Sequence, residues 1–105
     1  MTTRELAGVT LELDADGYLE DASAWNEAVA RELAREEGID ELTDHHFQVI
    51  NFMRQEFETK GTGPSIRRLT KESGVPTKEL YQLFPGGPAK KAARIAGIKK
   101  PHGCI

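Results

Sequence analysis

The stretch LTDHHFQVINFMRQEFETKG, residues 42–61, decides how the rest of the chain must fold. The Thr43 hydroxyl is placed to accept from the orphan amides of a first helical turn, with Leu42 and Phe47 as a hydrophobic staple across it. Phe47, Ile50, Met53 or Arg54, and Phe57 then recur at helical spacing until Gly61. This pattern predicts the longest helix of the domain, running through Glu58. Its apolar stripe has to be covered by other elements. His45 and His46 raise a metal site, but adjacent helical residues point about 100° apart and grip one ion poorly. Both are expected to be solvated first-turn histidines.

Downstream, GTGP places Pro64 at the first position of a short helix carrying Ile66 and Leu69 and ending at Gly74. Val75-Pro76 makes a turn, and Thr77 caps a helix with Leu80, Tyr81, Leu83 and Phe84. FPGGP breaks the chain, and a last helix from Pro88 carries Ala89, Ala92, Ala93, Ile95 and Ala96 up to Gly97. Residues 98–105 lack periodicity and are expected to form a mobile arm on a single domain, residues 1–97. Upstream, GVTLELDADGYLED alternates through Val9, Leu11 and Leu13, turns at Asp14 to Gly17 and resumes at Tyr18 and Leu19, which reads as a β-hairpin. From Ala22 to Glu37, Trp25, Val29 and Leu33 mark an amphipathic helix with Asp21 or Ser23 as N-cap and Gly38 just past its end. Trp25 belongs on its packed face. The fold class is mainly α: a small helical bundle with an N-terminal hairpin, a helix-turn-helix-like segment and a flexible C-terminal arm.

The chain has 105 residues and a net charge of −3, but the charge is divided. Residues 1–59 hold 4 Lys/Arg against 15 Asp/Glu, and residues 60–105 hold 10 against 2. A basic half attracts nucleic acid or an acidic protein; equally, the halves attract each other within one fold. In the helix-turn-helix reading, Thr77, Lys78, Glu79, Tyr81 and Gln82 meet a groove while Arg67, Arg68 and Lys71 reach phosphates. With one acid among so few bases, direct nucleic-acid binding is expected to be weak. No apolar run suits a signal peptide or a membrane span, so a cytoplasmic, membrane-free protein is expected.

Cys104 is the single cysteine and stands next to the last residue, which excludes an intramolecular disulfide. Its thiol is carried on an arm whose seven steps from Gly97 give a reach of about 20 Å at roughly 3.3 Å each. Lys99, Lys100 and His102 lower a neighbouring thiol pKa while the terminal carboxylate opposes them, and the net direction stays open.

The segment LFPGGPAKKAARIAGIKKPHGCI, residues 83–105, resembles the C-terminal signature of the DsrC/TusE family of sulfur-relay proteins, the dissimilatory sulfite reductase gamma subunit family. That signature is L-F-P-x-G-P-A-K followed by an arm P-x-G-C-V/I, matched at Leu83–Lys90 and Pro101–Ile105. DADGYLED, Trp25, LTDHH through INFMRQEF, and GPSIRRLTKESG resemble family segments in the same order. The resemblance implies that Cys104 carries sulfur as a persulfide and hands it from a donor protein to an acceptor enzyme. That acceptor would be a relay complex, a tRNA-thiolation enzyme or sulfite reductase. It implies a carrier more than a turnover enzyme, with no cofactor and no metal. Arg94, Lys99 and Lys100 are the candidates for docking and thiolate stabilisation, and Arg67 resembles a family arginine near the base of the arm. Family members that serve sulfite reductase carry a second cysteine where this chain has Ala93. The usual L-P-K-P of the arm here reads Ile98-Lys99-Lys100-Pro101, and a segment before LYQLF that many TusE members carry is absent. The rival reading from another class is a helix-turn-helix regulator with Cys104 as a redox sensor.

Overall fold

The structure is a computed structural model and describes residues 2–99. Strands β1 (Thr2–Leu6) and β2 (Val9–Leu13) pair antiparallel from Thr2↔Leu13 to Leu6↔Val9. The two-residue loop between them has positive φ at both Ala7 (51°) and Gly8 (78°), the twist that a tight hairpin requires. The hairpin therefore lies one turn earlier than the sequence suggests. The Asp14–Gly17 turn is real but follows β2, and the expected return strand reduces to one bridge, Leu13↔Leu19. Asp14 explains this: its Oδ1 accepts from the amides of Asp16 and Tyr18, both at 2.9 Å, so a local turn displaces further ladder.

The helix expected over 22–37 is broken. A single 3₁₀ turn, Ala22–Ala24, is capped by Asp21, which accepts from the Ser23 amide at 2.9 Å. Trp25 is extended, and Asn26 then caps α1 (Glu27–Glu36) by accepting from Val29 N–H at 2.9 Å. Trp25 sits in the break instead of on a helical face. Val29, Ala30, Leu33 and Ala34 are buried. At the other end Gly38 N–H reaches the Arg35 carbonyl (3.1 Å) and Ile39 N–H reaches that of Ala34 (2.9 Å), closing a Schellman motif with Ile39 buried.

Helix α2 (Asp44–Lys60) starts at Thr43 as expected and stops at Gly61 in the left-handed region. Its buried stripe is His46, Val49, Ile50, Met53 and Glu56, with Phe47 and Phe57 only half-buried beside it. The expectation for His46 is corrected: it is 7% exposed. Its Nδ1 accepts from Thr43 N–H at 3.0 Å, so its Nε2 carries the proton and donates to the Leu83 carbonyl at 2.9 Å. Its ring meets Phe84 edge-on with centroids 5.2 Å apart. Burial pushes its pKa below the usual imidazole value, against the opposing pull of the Leu83 carbonyl. His45 is exposed, as expected, and pairs with Glu79.

Helix α3 (Ile66–Glu72) is capped by Ser65, so Pro64 precedes the cap and is not the first helical residue. Helix α4 (Thr77–Leu83) has Pro76 at its N-cap; Thr77 is its first residue, and its hydroxyl donates to that of Thr70 at 3.0 Å. Helix α5 (Pro88–Ile95) begins on proline as read and packs against α1, α2, α3 and α4. Ala89, Ala92, Ala93 and Ala96 are all buried, and their small side chains let several helices approach one axis. Past α5, Ile98 is 1% exposed, so the packed body extends one residue beyond the boundary set at 97, correcting the assignment of Ile98 to the arm.

Part of the divided charge is answered inside the fold, where Arg94 and Arg68 of the basic half meet carboxylates of the acidic half and Arg4 adds a cation from the acidic half itself. Arg94 binds Glu36 at 2.8 Å and Glu37 at 2.9 Å, Arg4 binds Glu36 as well, and Arg68 binds Glu56. The two guanidiniums hold the Glu36 carboxyl down at about 2.

Candidate functional site at the root of the arm

An α-helix leaves its last four carbonyls without partners from its own ladder. At the end of α5 all four are answered. Ile98 N–H donates to the Ala93 carbonyl and Gly97 N–H to that of Arg94, both at 3.2 Å, forming a second Schellman motif. Trp25 Nε1–H donates to the Ile95 carbonyl at 2.8 Å. Arg54 Nη1–H donates to the Ala96 carbonyl at 2.7 Å, while its Nη2–H donates to the Ala22 carbonyl at 3.1 Å. The Arg54 guanidinium also lies over the Trp25 ring, 4.2 Å from its centroid. Three separate elements, the loop at Trp25, the middle of α2 and the end of α5, are tied at one point.

Gly97 is required there twice. Its φ is +72°, and a Cβ would come within 2.4 Å of Trp25 Cδ1. Ile98 then borders a groove of about 280 Å³ lined also by Ala22, Ser23, Arg54, Phe57 and Glu58. Lys99 is exposed at the limit of the description. Lys100 and Cys104, expected as site residues, lie outside the described residues.

The other expected cations do not converge on this root. Arg94, 13% exposed at its side chain, points to α1, with Nε–H donating to the Gly17 carbonyl at 2.9 Å beside its two ion pairs. It borders a separate cleft of about 470 Å³ with Asp16, Tyr18, Glu36 and Lys90. Arg67 is exposed on α3 in a shallow depression with Ser65, Arg68, Lys71 and Glu72. Sequence reasoning missed Arg54 as a site residue; the one available signal was a cation competing with Met53 for a place on the apolar stripe. Trp25 was read for its packing and not for its indole N–H.

Helices α3 and α4 follow one another across the short turn at residues 73–76, and α2 holds this segment through Gln48 Nε2–H to the Ser73 carbonyl (2.8 Å) and His46 to Leu83. Arg68, expected at phosphates, is occupied by Glu56, and Glu79 adds an acid paired to His45. Among the described residues no cluster of three or more His, Cys, Asp or Glu side chains is arranged to hold a metal, and no helix is long and apolar enough to cross a membrane.

The described residues form a small, mainly helical body with an N-terminal hairpin, its last helix tied down at its C-terminal end. The chain belongs to the DsrC family: the family model described as "DsrC like protein" matches residues 5–105. It is similar to the sulfurtransferase TusE of Pectobacterium atrosepticum, 45% identical over 96% of this chain and 98% of that one. Among solved structures it is similar to dissimilatory sulfite reductase I (DsrI), with a TM-score of 0.88 and 36% identity over 99% of this chain and 100% of that chain. It also matches the DsrC/gamma subunit of dissimilatory sulfite reductase from Pyrobaculum aerophilum, with a TM-score of 0.83 and 41% identity over 99% of this chain and 95% of that chain.

Proposed function

We propose that this chain is a sulfur-relay protein whose carrier atom is the Sγ of Cys104. The observation that carries the reading is the single cysteine of the chain, set in the Pro101–Ile105 motif of a protein 45% identical to a sulfurtransferase TusE. The Cys104 thiolate attacks the outer sulfur of a donor persulfide, R–S–SH, in line with its S–S bond. The Sγ–S bond forms as the donor S–S bond breaks, the donor leaves as R–S⁻, and the hydrogen stays on the transferred sulfur. No external oxidant or reductant is consumed, so the protein is a carrier and not a redox catalyst.

The partners are a sulfur donor and a sulfur acceptor. Ala93 stands where the two-thiol members hold a cysteine, which favours a single-thiol hand-over to a tRNA-thiolation type of acceptor over sulfite reductase. A reducing, cytoplasmic setting fits a thiol that must stay free between transfers. Arg67, Arg94, Lys99 and Lys100 are the cations proposed for docking and thiolate stabilisation; Arg67 and Lys99, both exposed, are the first to substitute.

Intact mass after incubation with a persulfide donor tests the reading. Wild type should gain one sulfur atom, and Cys104→Ser none, with a change in folding stability below about 0.5 kcal/mol. Sulfur loading that survives Cys104→Ser would sink the carrier assignment.

A further inference from the structure

We infer that Tyr81, the pocket beside it and the two lysines that flank it, Lys78 and Lys90, form a docking surface for an acidic protein segment that seats one apolar side chain in the pocket. The inference deepens the carrier reading and rests on it for its purpose, since a carrier has to be recognised by donor and acceptor, though not for its test. Leu80 and Phe84 form the buried side of α4, with Leu83 half-buried beside them. Tyr81 lies about 100° round the helix from Leu80 and is 51% exposed, the one large hydrophobic side chain left open among the described residues. The packing of α4 makes no use of an aromatic there. What Tyr81 does border is a pocket of about 270 Å³, walled by Ile66 of α3, Gly86 and Gly87 of the α4–α5 loop, and Pro88, Ala89 and Lys90 of α5. Pro88 and Ala89 are buried, so this wall belongs to the packed body and needs no ordering when a partner arrives. The volume falls below the roughly 300 Å³ at which small-molecule sites begin and suits a single large side chain. A tyrosine beside such a hollow has the make-up of an interface anchor.

The charge around the pocket defines the partner's chemistry. Residues 60–99 contain two carboxylates, Glu72 and Glu79, and both are turned to cations, Glu72 to Arg68 and Glu79 to His45. Lys78 stands three residues before Tyr81 and so on its face of α4, and Lys90 stands on the pocket wall. Both lysines are exposed, and neither has an ion pair among the described residues. Lys90 also borders the cleft that holds Glu36 and Glu37, but those carboxylates are already taken by Arg94 and Arg4. An aromatic, an apolar hollow and two uncompensated cations together match a segment in which acidic residues surround an apolar one. A nucleic acid supplies anions but no side chain for the hollow. A second copy of this chain supplies acidic surface from its hairpin and α1, but apart from Tyr81 none of its described residues presents an exposed large apolar side chain to fill the pocket. A different, acidic protein meets both demands.

Titration of the isotope-labelled full chain with a synthetic peptide of glutamates and aspartates around one central leucine, read by backbone amide shifts at low salt, tests this. The amides of Tyr81, Gly86, Gly87, Ala89 and Lys90 should move together. Binding should weaken several-fold in Tyr81→Ala and in the double variant Lys78→Glu, Lys90→Glu, all of them changes at exposed side chains that leave the core intact. Serine in place of the peptide's leucine should also weaken it several-fold, and added salt should weaken it further by screening the lysines. No movement at these amides, equal affinity for the serine peptide, or tighter binding of a single-stranded RNA at the same amides overturns the inference. So does a concentration-dependent shift of these amides in the chain alone, which would give the surface to a second copy. Loading of the wild type by a small persulfide donor, measured separately by intact mass, tells failure of this surface from failure of the carrier reading.

Discussion

A buried imidazole that accepts at one nitrogen and donates at the other has no use for a second proton. That is the state of His46, between the Thr43 amide and the Leu83 carbonyl. Its pKa in the folded protein is lowered, so on acidification the unfolded chain takes up the proton first. Stability should therefore be highest above the ordinary imidazole range near 6.5, fall as pH drops through it, and stop falling once the folded form also protonates. Melting curves between pH 8 and about 5 check this. His46→Gln keeps a side chain that can close a capping box from the same position but does not titrate, so its slope over this window should be shallower than wild type. Equal slopes would assign the pH response to other groups. His46 also shows why one residue was misread from sequence: a histidine in a helix's first turn is solvated unless a carbonyl from elsewhere meets it, and the Leu83 carbonyl lies 37 residues on. Cys104 rests on the opposite kind of signal, a local motif and a single cysteine in the sequence, and it lies outside the described residues.

At the scale of elements, the punctuation of the chain was readable and the pairing was not. Thr43, Gly38, Gly61, Pro88 and Gly97 act where local chemistry alone places them. Strand β1 escaped notice because four of its five residues face outward or sit half-buried, leaving only Leu6 in the core, and because Ala7-Gly8 is a weak turn signal beside Asp14–Gly17. The α2 stripe was read one position away from its true centre because His46 and Glu56, both polar, are buried by partners that only the fold supplies. The two Schellman glycines allow a controlled prediction. Gly38→Ala meets open space at φ +85° and should cost about 1 kcal/mol of backbone strain. Gly97→Ala adds to a similar strain a collision with the Trp25 side chain, with three of its carbons within 2.8 Å, and should cost roughly 2–4 kcal/mol. Chemical denaturation of the pair checks the ordering. Equal losses would mean that the indole yields freely, and the clamp on the exit would lose its rigidity.

For the molecule as a whole, one thiol in 105 residues restricts what oxidation can do. Mild treatment with diamide should give dimers linked through Cys104, or mixed disulfides when a small thiol is present, and no internally bridged monomer. Non-reducing mass spectrometry reads this directly, and an oxidised monomer lighter by two hydrogens would contradict the sequence-level account. The divided charge of the chain was legible as composition, but its resolution into Arg94–Glu36–Arg4 and Arg68–Glu56 contacts needed the fold. The same separation of signs reaches the end of α5. Aligned peptide dipoles leave the C-terminus of a helix with a partial negative charge of about half an elementary unit, a field that keeps a nearby thiol protonated. Arg54 sets a full positive charge 2.7 Å from the Ala96 carbonyl oxygen, at the pole where that field is strongest. The cation stands against that pole where the described chain leaves α5, with the Glu58 carboxylate of the same groove as its counter-charge.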